Sequence, residues 1–147
     1  MNARRTGIWA GTAWLACAAA FATDADYVEA TAFTQTVSVA YAGTTATVSN
    51  GAGAGVAVLQ DGASVALTST VAGVEVRVSG AATNASLKLG SSQPVKLVLD
   101  GVNLLSATNP AIGVWTSNRC FVVLAKGTTN VLADGAVNAA GGAFYGS

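Results

Sequence analysis

The sequence predicts an all-β chain whose strands stack as the coils of a solenoid, and three observations carry that expectation. From Phe33 onward, period-two apolar runs follow one another with no 3.6-residue period between them. Four runs end alike: Val58-Leu59-Gln60-Asp61-Gly62, Val76-Arg77-Val78-Ser79-Gly80, Leu97-Val98-Leu99-Asp100-Gly101 and Val122-Val123-Leu124-Ala125-Lys126-Gly127, with first residues 18, 21 and 25 positions apart. A second marker, Thr-Asn, recurs at Thr83-Asn84, Thr108-Asn109 and Thr129-Asn130. Irregular spacings in the twenties are what stacked coils produce when loops vary around a constant strand frame.

The elements follow in order. Residues 1–22 read as a signal peptide: a basic segment with Arg4 and Arg5, an apolar stretch from Ile8 to Ala20, and an Ala20-Phe21-Ala22 cleavage site. That apolar stretch is short for a membrane span, which needs roughly 20 residues. Residues 23–147 would form the mature, secreted chain. Its strands are TVSVAYA, TATVS, GVAVLQ, SVALTS, GVEVRVSG, SLKLG, VKLVLDG, GVWTS and CFVVLAKG, rich in Val, Thr and Leu and bounded by Gly, Ser and Asn.

Asp100-Gly101 sits between two apolar runs, which is also a tight-hairpin signal. A repeated strand-Gly-strand unit favours a corner instead, with Gly taking positive φ and Asp bonding nearby amides. If coils stack, alternation points Val95, Leu97 and Leu99 inward beside Cys120, Val122 and Leu124 of the next coil, about 4.8 Å away. Lys96, Val98, Phe121 and Val123 then point outward. Cys120 is expected to be a buried small hydrophobe, and Asn84, Asn109 and Asn130 to be turn residues whose side chains satisfy corner amides.

Composition narrows the function classes. Charged residues are only 10% of the chain and the net charge is zero, so no surface of clustered Lys and Arg for nucleic acid is indicated. Loss of residues 1–22 removes Arg4, Arg5 and Cys17, leaving seven acidic residues, five basic ones and Cys120 as the one thiol. An intrachain disulfide is then impossible.

The run from Val74 to Gly135, VEVRVSGAATNASLKLGSSQPVKLVLDGVNLLSATNPAIGVWTSNRCFVVLAKGTTNVLADG, resembles the secreted bacterial family of carbohydrate-binding domain-containing proteins. The shared features are a strand ending in Ser-Gly, a leucine-rich strand, Pro110-Ala111-Ile112, and VVLA-x-GTTN-x-L-x-DG. The resemblance extends more weakly back to Thr45. It implies a right-handed parallel β-helix like that of pectate lyases, binding of acidic plant polysaccharide or cellulose without lyase activity, and calcium as a possible cofactor. Relatives continue for several coils past the aromatic pair that stands here at Phe144-Tyr145, so the chain is expected to hold the N-terminal coils of such a domain. The family's calcium ligands do not map onto particular positions of this sequence.

Candidate chemistry is sparse. There is no His, which excludes Ser-His catalysis in this stretch, and no cysteine cluster of the zinc type. Asp61, Asp100 and Asp134 each precede Gly and read first as corner caps. They are also the candidate calcium ligands, since that ion gathers six to eight oxygens from carboxylates, carbonyls and water. Asp24, Asp26 and Glu29 read as a solvated acidic tail.

For sugar binding, alternation sends Ile112 and Val114 inward and Trp115 outward, beside Asn118 and Arg119. Trp115 could stack on a pyranose face while Arg119 meets a uronate carboxylate. Alternatively, Trp115 folds over an adjacent coil and Arg119 is solvated. The sequence therefore points to an exported polysaccharide-binding protein, without a transmembrane span after signal cleavage. Two alternatives stand beside it: a lyase or hydrolase with catalytic coils beyond Ser147, and a surface adhesin or stalk.

Overall fold

The computed structural model describes residues 33–107, 110–134 and 143–146. Within them the chain is all-β: β1 Gln35–Gly43, β2 Thr45–Asn50, β3 Val56–Asp61, β4 Ser64–Ser69, β5 Val74–Thr83, β6 Ser86–Ser91, β7 Val95–Ser106, β8 Ile112–Thr116, β9 Cys120–Leu124, β10 Val131–Asp134 and β11 Phe144–Gly146, plus one 3-10 turn at Gly53–Gly55. The predicted signal peptide, Asp24, Asp26, Glu29 and Asn109 lie outside the described residues.

The strands form two mixed sheets. The first has the order β10-β7-β5-β1-β2, with β9 also paired to β7; the second has the order β11-β8-β6-β4-β3. From Val74 onward every pairing is parallel, and the chain passes between the sheets as it advances. Val74 pairs with Val95 and Val95 with Cys120, while Leu87 pairs with Ile112 and Ile112 with Phe144. The first four strands differ, because β1 pairs antiparallel with β2 and β3 with β4.

Two Asp-Gly pairs thus have opposite outcomes. At Asp100-Gly101 the strand does not reverse. Ser79 pairs with Asp100 and Gly80 with Val102, so Gly101 is an extra residue, at φ +70°. This is a bulged corner in one long strand. It lets β7 hold β9 along its first half and β10 along its second.

At Asp61-Gly62 the sequence expectation of a corner is corrected. Asp61 pairs with Ser64 across a two-residue loop, Gly62-Ala63, with Gly62 at φ +56°. Positive φ at the first loop residue suits a tight hairpin turn, and Gly reaches it without a Cβ clash.

Alternation predicts the core well. Val76, Leu97, Val78 and Leu99 stack within the first sheet, and Val65, Leu87, Ile112, Leu67, Leu89 and Val114 within the second; all are buried in one cluster. The predicted register of Val95, Leu97 and Leu99 on Cys120, Val122 and Leu124 holds throughout. Val122 and Leu124 are nevertheless 46% and 65% exposed, because β9 is an edge strand among the described residues.

Val98, expected outward, is buried. It lies in register with Arg77, whose guanidinium reaches Asp100 two residues along β7, so the arginine is drawn across Val98. Cys120 packs against the core, and burial pushes its thiol up to about 11, away from thiolate reactivity. The Asn130 side chain accepts a hydrogen bond from the Val102 amide at 2.9 Å, as a corner asparagine should. Asn84 occupies a corner at φ +54°, but its side chain bonds no corner amide among the described residues.

Candidate functional site

The outer face of the second sheet is built from the positions that alternate away from the core: Ser64, Ala66 and Thr68 on β4, Ser86, Lys88 and Gly90 on β6, Gly113 and Trp115 on β8. Register joins them in rows: Ser64 with Ser86, Ala66 with Lys88 and Gly113, Thr68 with Gly90 and Trp115. Most are small, so the face is a shallow floor from which Lys88 and Trp115 project, with the exposed Leu59 of β3 beside Ala66.

The indole of Trp115 lies against its own strand. A Cβ built on Gly113 would collide with the six-membered ring of Trp115, so the indole lies back along its own strand, over Gly113. Gly113 is buried by this cover, whereas Trp115 itself is 40% exposed. A flat aromatic surface is therefore held on a glycine floor and open to solvent. Sequence reading selected Trp115 but missed Gly113, although Gly-x-Trp on one face of a strand is a legible sign of room for the ring.

Asn118 and Arg119 belong to the turn after β8. The Asn118 side-chain oxygen accepts from the Arg119 amide at 2.9 Å, and the Asn118 amide donates to the Thr116 hydroxyl at 3.0 Å. Asn118 is thus engaged in shaping the turn. Arg119 leads into β9 of the first sheet, its carbonyl accepting from the Val95 amide at 3.0 Å. The cation in register with the ring-covered glycine is Lys88, which is exposed and makes no ion pair among the described residues.

The three candidate calcium ligands do not converge. Asp61 ends β3 at a hairpin tip, Asp100 binds Arg77 at 3.0 Å, and Asp134 ends β10. One oxygen of Asp134 is buried with no hydrogen-bond partner. Among the described residues no three His, Cys, Asp or Glu side chains gather as a metal site. The set does not fit one calcium ion held by several carboxylates.

Asp61 instead borders a cleft of about 360 Å³ where the tip of the β3–β4 hairpin meets the β5–β6 corner. Thr44, Ser64, Thr83, Asn84, Ser86 and Ser106 also line it. Ser64 and Ser86 share a hydrogen bond of 2.9 Å, and the Ser86 carbonyl accepts from the buried Tyr41 hydroxyl at 3.1 Å.

A cluster of charges does form on the outer face of the first sheet. Glu75 binds Lys96 at 2.9 Å and Arg77 at 3.0 Å, and Arg77 binds Asp100 at 3.0 Å. Burial of Glu75 opposes its ionisation, but Lys96 and Arg77 outweigh it and hold the carboxyl below the usual range. Hydrogen bonding to Asp100, and then to Glu75, raises Arg77 against the opposing effect of burial. An arginine held so firmly charged cannot take a proton from a substrate. The ladder ties β5 to β7.

No helix among the described residues is long and apolar enough to cross a membrane. Neither curated proteins nor solved structures gave a match. A family model described as carbohydrate-binding domain-containing protein matches residues 61–146, the stretch that holds β4 to β11 and with them Lys88, Gly113 and Trp115. On that match, over more than half its length, the chain belongs to the carbohydrate-binding domain-containing protein family.

Proposed function

We propose that the protein binds a polysaccharide on the outer face of its second sheet, without cleaving it, with the indole of Trp115 as the stacking platform. The observation that carries this reading is the ring lying over Gly113, part-exposed, on a floor of small residues. A pyranose ring presents a flat apolar face to such a surface, and the hydroxyls at its rim can meet Lys88. We extend the proposal to architecture and location: a secreted right-handed parallel β-helix, with β1 to β4 as an antiparallel start. Supporting it are the repeated parallel registers from Val74 onward and the leader-like residues 1–22. Calcium assistance would act through single carboxylates, Asp61 at the cleft or Asp134, rather than through a shared three-aspartate site.

Affinity electrophoresis of the full chain in gels containing polygalacturonate or a neutral glucan, with calcium or chelator, tests the proposal while unsaturated uronate and reducing ends are monitored. Retardation without product is expected, and Trp115→Ala should weaken it, by up to roughly tenfold in affinity, since a stacked aromatic contributes about 0.5–1.5 kcal/mol beyond the area it buries. Product formation would overturn non-catalytic binding in favour of a lyase or hydrolase. Absence of retardation in every gel would favour a surface stalk.

A further inference from the structure

We propose that the cleft bordered by Asp61 and Asn84 is a second subsite for the same glycan, holding an uncharged sugar unit in line with Trp115. The inference rests on the reading of Trp115 as the platform and adds where the chain runs and which sugars it admits.

The cleft opens at the corner where the two sheets meet: Thr83 and Ser106 end β5 and β7 of the first sheet, while Ser64 and Ser86 stand on the outer face of the second, the face that carries the indole. Ser86, which lines the cleft, and Gly90, the register partner of Trp115, are alternate-face positions four residues apart on β6. That separation is about 13 Å at 3.3 Å per residue. Lys88 stands between them, flanked by Ala66 on β4 and, on β8, by Gly113 beneath the indole, so the ring already reaches part of the way toward the cleft. A linear glycan laid along β6 would stack one unit on Trp115, pass Lys88 and reach the cleft without climbing over a bulky residue.

The cleft has the chemistry of a sugar site. The exposed Asp61 carboxylate and Asn84 carboxamide make no hydrogen bond or ion pair with any described residue, whereas Glu75 and Asp100 are both held by Arg77. A carboxylate only accepts, so its natural partner is a pair of hydroxyl donors, as on adjacent sugar carbons; the carboxamide both donates and accepts. The Thr44 and Thr83 hydroxyls add to the rim. At about 360 Å³ the space falls in the lower range of small-ligand pockets. A uronate there would set its carboxylate against Asp61, so the geometry selects a neutral unit.

Calorimetric titration of the full chain with cello-oligosaccharides of increasing length, from the disaccharide upward, is the test. Two variants preserve the backbone: Asp61→Asn keeps a residue suited to the hairpin turn before Gly62, and Asn84→Gly tolerates positive φ. For the wild type, affinity should rise with length until both subsites are spanned and then level off. Each variant should lose roughly tenfold on the long oligosaccharides, the worth of one charge-assisted hydrogen bond or less, and nothing on the disaccharide. Variants equal to wild type at every length, with Trp115→Ala still impaired, would overturn the second subsite and leave the platform standing. Trp115→Ala equal to wild type at every length would overturn the platform itself.

Discussion

Glycines at two neighbouring corners of this chain look alike and are not. Gly80 and Gly101 both take positive φ, +83° and +70°. A Cβ on Gly80 would also collide with the carbonyl oxygen of Tyr41, whereas one on Gly101 would meet nothing closer than Thr128 at 3.9 Å. Gly101→Ala should therefore cost about 1–2 kcal/mol, the conformational penalty alone. Gly80→Ala adds overpacking against rigid backbone and should cost roughly 2–4 kcal/mol. Urea unfolding of both variants checks the difference; equal losses would mean that β1 moves aside and that the close approach of Tyr41 is not a constraint. Asn130 shows the same dependence on place. Its side chain caps a buried strand amide 28 positions earlier in the chain, a role that its Thr-Asn marker signals but that Asn84, with the same marker, does not share.

At the scale of the element, β8 holds the platform because Gly113 leaves space for the indole. Gly113→Ala would push the ring off the strand, and because the colliding atoms end a side chain that can swing outward, the fold should survive. Expected outcomes are an unfolding midpoint close to wild type, a shifted tryptophan emission, and glycan affinity lowered toward that of Trp115→Ala. Wild-type affinity with shifted emission would show that the resting position of the ring is immaterial to binding. Strand identity and facing were legible in the sequence, since period two fixes which side each residue occupies once a strand is assigned. Pairing direction was not. Asp61-Gly62 and Asp100-Gly101 present the same local signal, and only the partners available, β4 folding back beside β3 or β5 already lying beside β7, decide between hairpin and corner. The site was legible to the same extent. Trp115 is marked by alternation within its own strand, but the association of Lys88 with Gly113, or of Asp61 with Asn84, depends on register between distant segments.

Across the whole molecule, core rows supply an apolar interior, and one charge ladder spans the outer face of the first sheet. That ladder makes stability depend on acid. Folding favours the ionisation of Glu75 through Lys96 and Arg77, so its folded value lies below its ordinary 4.5. The contribution is present above that ordinary value and is lost as pH falls through the folded one, because the unfolded chain then binds the proton more readily. Unfolding midpoints should accordingly be lower at pH 3 than at pH 7. Glu75→Gln, which leaves Lys96 and Arg77 without their shared carboxylate, should cost about 1–2 kcal/mol at neutral pH; both cations retain access to water, which moderates the loss below that of a fully buried pair. The variant should also show a smaller difference between the two pH values. An undiminished difference in Glu75→Gln would move the acid sensitivity to carboxylates elsewhere and reduce the ladder to a surface feature. A confirmed decrease would instead make the outer face of the first sheet the fastening between β5 and β7, leaving the outer face of the second sheet free to be shaped for a ligand.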